Sequence, residues 1–188
     1  MKKMGDQVNY IEQIKNYNYE KNFKPFKSCI IKKNGKERQC YKIDSSDKSI
    51  INAIFDYFQV HLKKNNHQIK STHSITKQIR WNISKGYKYY YKTDILKYFE
   101  SIDHHALLDQ INKTNDTNVF ELITRYINNR FSNGIEQSDL DTNSHLKKGL
   151  PTGINLTNIL SELYLANFDF QIKKIAKEYD FYYYRYCD

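Results

Sequence analysis

Only two prolines and six glycines punctuate the 188 residues, so helices and strands can run far without a breaker and each breaker is informative. The three cysteines, Cys29, Cys40 and Cys187, are odd in number and form no CxxC pair. That argues against a disulfide framework and against a cysteine-rich zinc site. No apolar run approaches the ~20 residues of a membrane-spanning helix. None follows Met1-Lys2-Lys3-Met4, where a secretory leader would need one. A cytoplasmic protein with no membrane partner is the expectation. Acidic residues are in deficit: 21 Asp+Glu stand against 30 Lys+Arg, for a formal charge of +9. A basic surface favours a polyanion, because each cation placed on a phosphate releases a counterion. Lys, Asn, Ile and Tyr are also what an A+T-rich coding sequence supplies, so the charge alone carries little weight.

The patterning that is present mixes helix and strand. Residues 1–27 read as a polar, loosely packed lead-in with one helix around Val8 to Tyr17. Ser28 to Lys33 and Arg38 to Ile43 are β-rich, and Asn34-Gly35 between them is a hairpin turn signal. Asp44 to Asp47 offer helix caps, and Ile50, Ile51, Ile54, Phe55 and Phe58 follow at helical spacing. A second helix from Ser71 carries Ile75, Ile79 and Ile83, with Gly86 as its stop. Tyr87 to Ile95 reads as an aromatic strand. Ser101 and Asp103 can cap a helix bearing Leu107, Leu108 and Ile111, and Val119 to Tyr126 predicts another. Phe131 to Lys148 is polar and irregular, consistent with a hairpin and loop. Gly149-Leu150-Pro151-Thr152-Gly153 is a tight turn opening a long helix, with Leu156, Ile159, Leu160, Leu163, Tyr164 and Phe168 on one face. Phe181 to Asp188 reads as a final aromatic strand. The fold class is α+β, with helices packed on one face of an antiparallel sheet.

Two of these strands each deliver a carboxylate at their C-terminal end, Asp94 and Asp188. Neighbouring strands lie ~4.8 Å apart. As neighbours, the two carboxylates can hold a pair of divalent ions at the ~3.5–4 Å separation used in phosphoryl and nucleotidyl transfer. Oxygen ligands favour Mg²⁺, with Mn²⁺ as an alternative. Two unrelated strand-end aspartates would be commoner, so what lies between them decides.

What lies between them resembles the reverse transcriptase family, in particular its bacterial branches. The segment from Asp94-Ile95-Leu96-Lys97-Tyr98-Phe99 to His104 resembles the family's first palm motif. Gly149-Leu150-Pro151-Thr152-Gly153 followed by Thr157 resembles the second, and Arg185-Tyr186-Cys187-Asp188 resembles the start of the third. The resemblance spans about Ser28 to Asp188. It implies fingers over 28–86 and an incomplete palm over 87–188, without a thumb. It implies that Asp94, Asp188 and the Ile95 carbonyl bind metal, and that Phe99 excludes a ribose 2′-hydroxyl. Arg38, with Lys33 or Lys36, would grip the triphosphate through its forked guanidinium. Thr152 and Gly153 would line the nucleotide pocket, and Tyr186 would lie near the primer end. The implied activity is RNA-directed DNA polymerisation from deoxynucleoside triphosphates, on an RNA template with a DNA or RNA primer. The chain is expected to continue beyond Asp188 in the full protein and to show little polymerase activity by itself.

The sequence departs from the family pattern at Thr152, where glutamine is frequent, and at Thr157, where serine is usual. Such divergence resembles the abortive-infection and defence-associated branch; a retron-like enzyme is the alternative, although the Asn-Ala-x-x-His signature of that group is absent. An RNA-dependent RNA polymerase shares the palm but usually has a second aspartate where Phe99 stands. A non-catalytic nucleic-acid-binding module is the reading from a different class. His104 and His105 are adjacent and so leave a helix in different directions; they are expected to be exposed helix-start residues. Trp81 and the tyrosines are expected to pack the core or its edges, with base stacking as the alternative. Tyr182, Tyr184 and Tyr186 alternate onto the face of Asp188.

Overall fold

The computed structural model describes residues 5–18, 22–33, 35–64, 71–129 and 148–186. Seven helices and one two-stranded sheet form there, an α+β fold dominated by helix–helix packing. Helix α1 (Gly5–Lys15) precedes the antiparallel hairpin of β1 (Lys27–Lys33) and β2 (Lys36–Lys42). The Gly35 φ of +74° lets the chain reverse between them. Helix α2 (Lys48–Lys64) follows, then α3 (Thr72–Ser84), whose cap Ser71 accepts from the Ser74 amide at 3.3 Å. Gly86 terminates α3 in a left-handed conformation, φ +98°. A one-turn helix α4 (Tyr98–Ser101) leads into α5 (His104–Asn112), capped by Asp103, which accepts from the Ala106 amide at 2.8 Å. Helix α6 (Thr117–Ile127) is capped by Asp116, and α7 (Asn155–Glu178) is the longest element.

One core joins these helices. Ile50, Ile51, Ile54 and Phe58 of α2 meet Leu107 and Ile111 of α5, Leu122, Ile123 and Tyr126 of α6, and Leu156 and Leu160 of α7. Their apolar residues recur at three- and four-residue spacing, so each helix turns one stripe inward. None of the described helices is long and apolar enough to cross a membrane.

Several expectations are corrected. The segments 87–95 and 181–186 do not form a ladder with any other described residue, although both are aromatic. A strand is stabilised by its partner, and aromatic content cannot supply one. The sheet is therefore not the layer on which the helices pack. It is a peripheral hairpin with Ile30 and Ile31 exposed, and the helices pack on one another. The lead-in is not loose: Ile14, Phe23 and Phe26 are buried, Phe26 lies edge-on to Tyr126 at 5.2 Å, and the buried Asp47 accepts the Lys24 amide at 2.8 Å. Their irregular spacing hides them from any periodicity argument. Of the α3 stripe only Ile75 is buried; Ile79 and Ile83 are exposed, as is Phe168 of α7. Tyr89, Tyr90 and Tyr91 are each more than nine-tenths exposed, because no described strand covers them. His104 is buried rather than exposed, and its Nε2 lies 2.7 Å from the Gly149 carbonyl. The irregular stretch 131–147 lies outside the described residues.

Candidate nucleotide and metal site

The turn at 149–153 is the point where three elements meet. Gly149 and Gly153 both take positive φ, +95° and +94°. A Cβ on Gly153 would come within 3.1 Å of the Cys40 Cβ and 3.3 Å of the Tyr41 carbonyl, and one on Gly149 within 3.3 Å of the Glu100 carbonyl. Only glycine allows both the conformation and this approach. On one side, the Tyr41 amide donates to the Thr152 carbonyl at 2.7 Å and the Thr152 hydroxyl donates to the Gln39 carbonyl at 2.9 Å. Gln39 and Tyr41 are alternate residues, so a single edge of β2 is clipped to the turn. On the other side, the Leu150 amide donates to the Phe99 carbonyl and the Gly149 amide to the Ile102 carbonyl, each at 2.8 Å. Beneath, the buried Thr157 hydroxyl donates to the Pro151 carbonyl at 2.7 Å and meets the Tyr126 hydroxyl at 2.8 Å. Burial pushes the Tyr126 phenol well above its ordinary pKa.

The second assembly lies along α7. Arg185 donates from Nε to Asp169 at 3.0 Å, and from Nη2 to Asp169 at 2.8 Å and to Glu162 at 2.5 Å. The Tyr183 hydroxyl donates to Asp169 at 2.7 Å. All three charged side chains are largely buried, with 13%, 11% and 5% exposure for Arg185, Glu162 and Asp169. Burial opposes the Arg185 charge, but its bonds to Asp169 and Glu162 outweigh that and hold its pKa above the ordinary value. Burial first, and then the bond to Asp169, raises the Tyr183 pKa. The sequence reading missed this cluster. Its signal was faint: Glu162 and Asp169, seven residues apart, share one face of the long helix with Asn158 and Lys173.

The family profile described as reverse transcriptase (RNA-dependent DNA polymerase) matches residues 30–188. The chain belongs to the reverse transcriptase family. No curated protein matches it. The family's activity is nucleotidyl transfer to a primer from nucleoside triphosphates on a nucleic-acid template, in general with divalent metal ions.

Within this reverse transcriptase domain the nucleotide-site candidates Phe99, Thr152 and Gly153 are brought together, because β2, the 149–153 turn and α4 are tied by the hydrogen bonds above. Phe99 is half-buried, packed on the core beside Tyr98, with ring centroids 5.6 Å apart. Arg38 is exposed on β2, next to Gln39. Lys33 and Lys36 close the hairpin as cross-strand partners, and their side chains lie outside the described residues. Asp94 is exposed on the segment before α4, and Ile95 beside it is 40% exposed. Lys97, left-handed at φ 49°, turns that segment into α4. Tyr186 is exposed at the end of the 181–186 segment. Asp188 lies outside the described residues, and among those residues no cluster of three or more His, Cys, Asp or Glu is placed to hold a metal. An exposed carboxylate followed in sequence by a backbone carbonyl offers the all-oxygen donor chemistry that a hard divalent cation takes.

Proposed function

We propose that this chain carries the nucleotide-selecting and metal-binding parts of an RNA-directed DNA polymerase. In this reading residues 28–86 act as fingers and 87–188 as palm. Asp94, the Ile95 carbonyl and Asp188 would hold Mg²⁺ or Mn²⁺. Divalent ions there would lower the pKa of the primer 3′-hydroxyl and take up charge on the leaving pyrophosphate. Arg38, with Lys33 or Lys36, grips the triphosphate, and Phe99 packs under the sugar and leaves no room for a 2′-hydroxyl. Thr152 and Gly153 form the wall where the base and sugar enter, and Tyr186 meets the primer end. The divergent Thr152 and Thr157 favour a bacterial, cytoplasmic role in anti-phage defence or in a retroelement.

The observation that carries this reading is the clip between β2 and the 149–153 turn, continued to Phe99 through Leu150. It draws a basic hairpin, a close-approach glycine and a bulky ring to one place, five residues from Asp94.

The test is an EPR titration of the chain with Mn²⁺ in the presence of a deoxynucleoside triphosphate. Asp94→Asn and Asp188→Asn should each weaken Mn²⁺ binding by at least the about tenfold that losing a ligand's hydrogen-bond partner costs. Equal binding by parent and variants would remove the metal site and leave a nucleic-acid-binding module. Phe99→Ala should narrow the preference for deoxy- over ribonucleotides in the same titration. A parent that already prefers ribonucleotides would favour an RNA polymerase instead.

A further inference from the structure

Residues 71–93 carry the cations Lys77, Arg80, Lys85, Lys88 and Lys92 and not one Asp or Glu. The only tryptophan of the chain, Trp81, stands among them on α3 and is 53% exposed. Lys77 and Lys85 lie four residues to either side of it, so the three share one face of the helix. The Lys85 ammonium sits 5.5 Å from the centre of the indole ring, a cation–π contact. Lys77, Arg80 and Lys85 are all exposed.

Other rings extend this face. Tyr182, 47% exposed, lies edge-on to Trp81 at 6.4 Å and to Tyr87 at 5.1 Å. The Tyr184 ring is within 5° of parallel to that of Tyr182, and its hydroxyl accepts from the Asn82 amide group at 2.9 Å. The Tyr87 hydroxyl donates to Asp180 at 2.9 Å. These contacts hold the rings in place before any ligand arrives, so little side-chain freedom is left to lose on binding.

Half-exposed rings bordered by cations suit a ligand with flat faces and repeated negative charge. Single-stranded nucleic acid has both, bases for the rings and phosphates for the cations. An anionic membrane fits less well, because a helix lying on one presents a single coherent apolar face. Here the exposed aliphatic side chains of α3, Ile79 and Ile83, are two residues to either side of Trp81. At about 3.6 residues per turn that puts them on the opposite side of the helix from the ring. We propose that α3 and the 181–186 segment form a stacking platform for single-stranded nucleic acid. Trp81 and Tyr182 receive bases, while Lys77, Arg80 and Lys85 hold the phosphates on either side. The platform shares no residue with the nucleotide and metal candidates, and the inference does not rest on the metal-site reading.

Trp81 is its own reporter. The test adds an oligothymidylate of about 12 nucleotides, a length that such grooves accommodate, to the full chain without metal or nucleotide. A base-free phosphodiester of equal length is the comparison. The oligothymidylate should quench Trp81 emission, and the base-free chain should bind more weakly and quench less. Trp81→Leu should weaken binding of a labelled oligothymidylate about tenfold, the worth of one stacked base, with the far-UV circular dichroism retained. Lys77→Gln combined with Lys85→Gln should make the log–log salt dependence shallower by about 1.4, as loss of two single-strand phosphate contacts does. Lys173→Gln combined with Lys177→Gln, an exposed pair on α7, should leave that slope unchanged. A Trp81→Leu affinity within about twofold of the parent overturns the proposal. So does an α7 pair that lowers the slope as much as the α3 pair, which is diffuse charge attraction. A Trp81 emission shifted by anionic phospholipid vesicles but not by oligothymidylate makes the face a membrane surface and overturns it as well. Should Trp81→Leu lose its helical signal, the quenching of the parent by the two probes and the two lysine pairs decide.

Discussion

The amide of Tyr41 donates to the carbonyl of Thr152 at 2.7 Å, so the free edge of the hairpin is closed by the turn rather than by a third strand. The Thr152 hydroxyl adds the second bond, to the Gln39 carbonyl. Thr152→Val keeps the shape and the backbone bond but removes the hydroxyl. Its expected cost is about 1 kcal/mol, the net worth of one hydrogen bond. Thermal unfolding should show that small loss, and hydrogen exchange should show faster exchange at the Tyr41 amide. An unchanged Tyr41 exchange rate would mean that the side chain does not hold the hairpin.

Gly153 and Gly86 share a left-handed conformation but not their surroundings. Gly86 has open space where a Cβ would be built, whereas Gly153 faces Cys40 and Tyr41. Gly86→Ala should therefore cost only the backbone strain, about 1–2 kcal/mol. Gly153→Ala adds overpacking against the β2 backbone and should cost about 2–4 kcal/mol in total. Denaturant midpoints of the two variants measure the difference. Equal midpoints would refute the close approach of the hairpin to the turn.

Thr157 is buried between Tyr126 and Pro151 and satisfies both with one hydroxyl. Thr157→Val leaves a buried phenol and a buried carbonyl without that partner, at an expected cost of about 1–3 kcal/mol. Thr157→Ser keeps the hydroxyl and should lose much less, since only a methyl group goes. A valine variant as stable as the serine variant would show that water replaces the lost partner. The result matters for the site because Thr157 is the buried support of the turn that carries Thr152 and Gly153.

What could be read beforehand was local. Gly35, Ser71, Gly86 and Asp103 each act on the few residues around them, and each behaves as its chemistry dictates. The residue-level ties that assemble the site join distant segments, and no window of sequence contains both partners. Arg185 finds Glu162 and Asp169 across the end of α7, His104 finds Gly149, and Asn82 finds Tyr184. The aromatic runs 87–95 and 181–186 misled because side-chain composition reports suitability for a strand, whereas a ladder depends on a neighbour. The exposed Ile79 and Ile83 misled for a related reason: a helical stripe marks a face that can be buried, not one that is.

The buried phenols predict an alkaline limit to stability. Burial raises the pKa of Tyr98 and Tyr126, and burial with the Asp169 bond raises that of Tyr183. In the unfolded chain a tyrosine ionises near ~10. Below that pH both states are protonated and the contribution of these groups to stability is complete. Above it the unfolded state gives up protons that the folded state keeps, so stability falls as pH rises toward the folded values. Urea midpoints at about pH 8 and pH 11 should therefore differ, with unfolding easier at the higher pH. Tyr126→Phe removes one coupled group and should flatten the dependence, even though it lowers stability at neutral pH by the lost bond to Thr157. A Tyr126→Phe variant with the slope of the parent would show that this phenol does not set the alkaline limit.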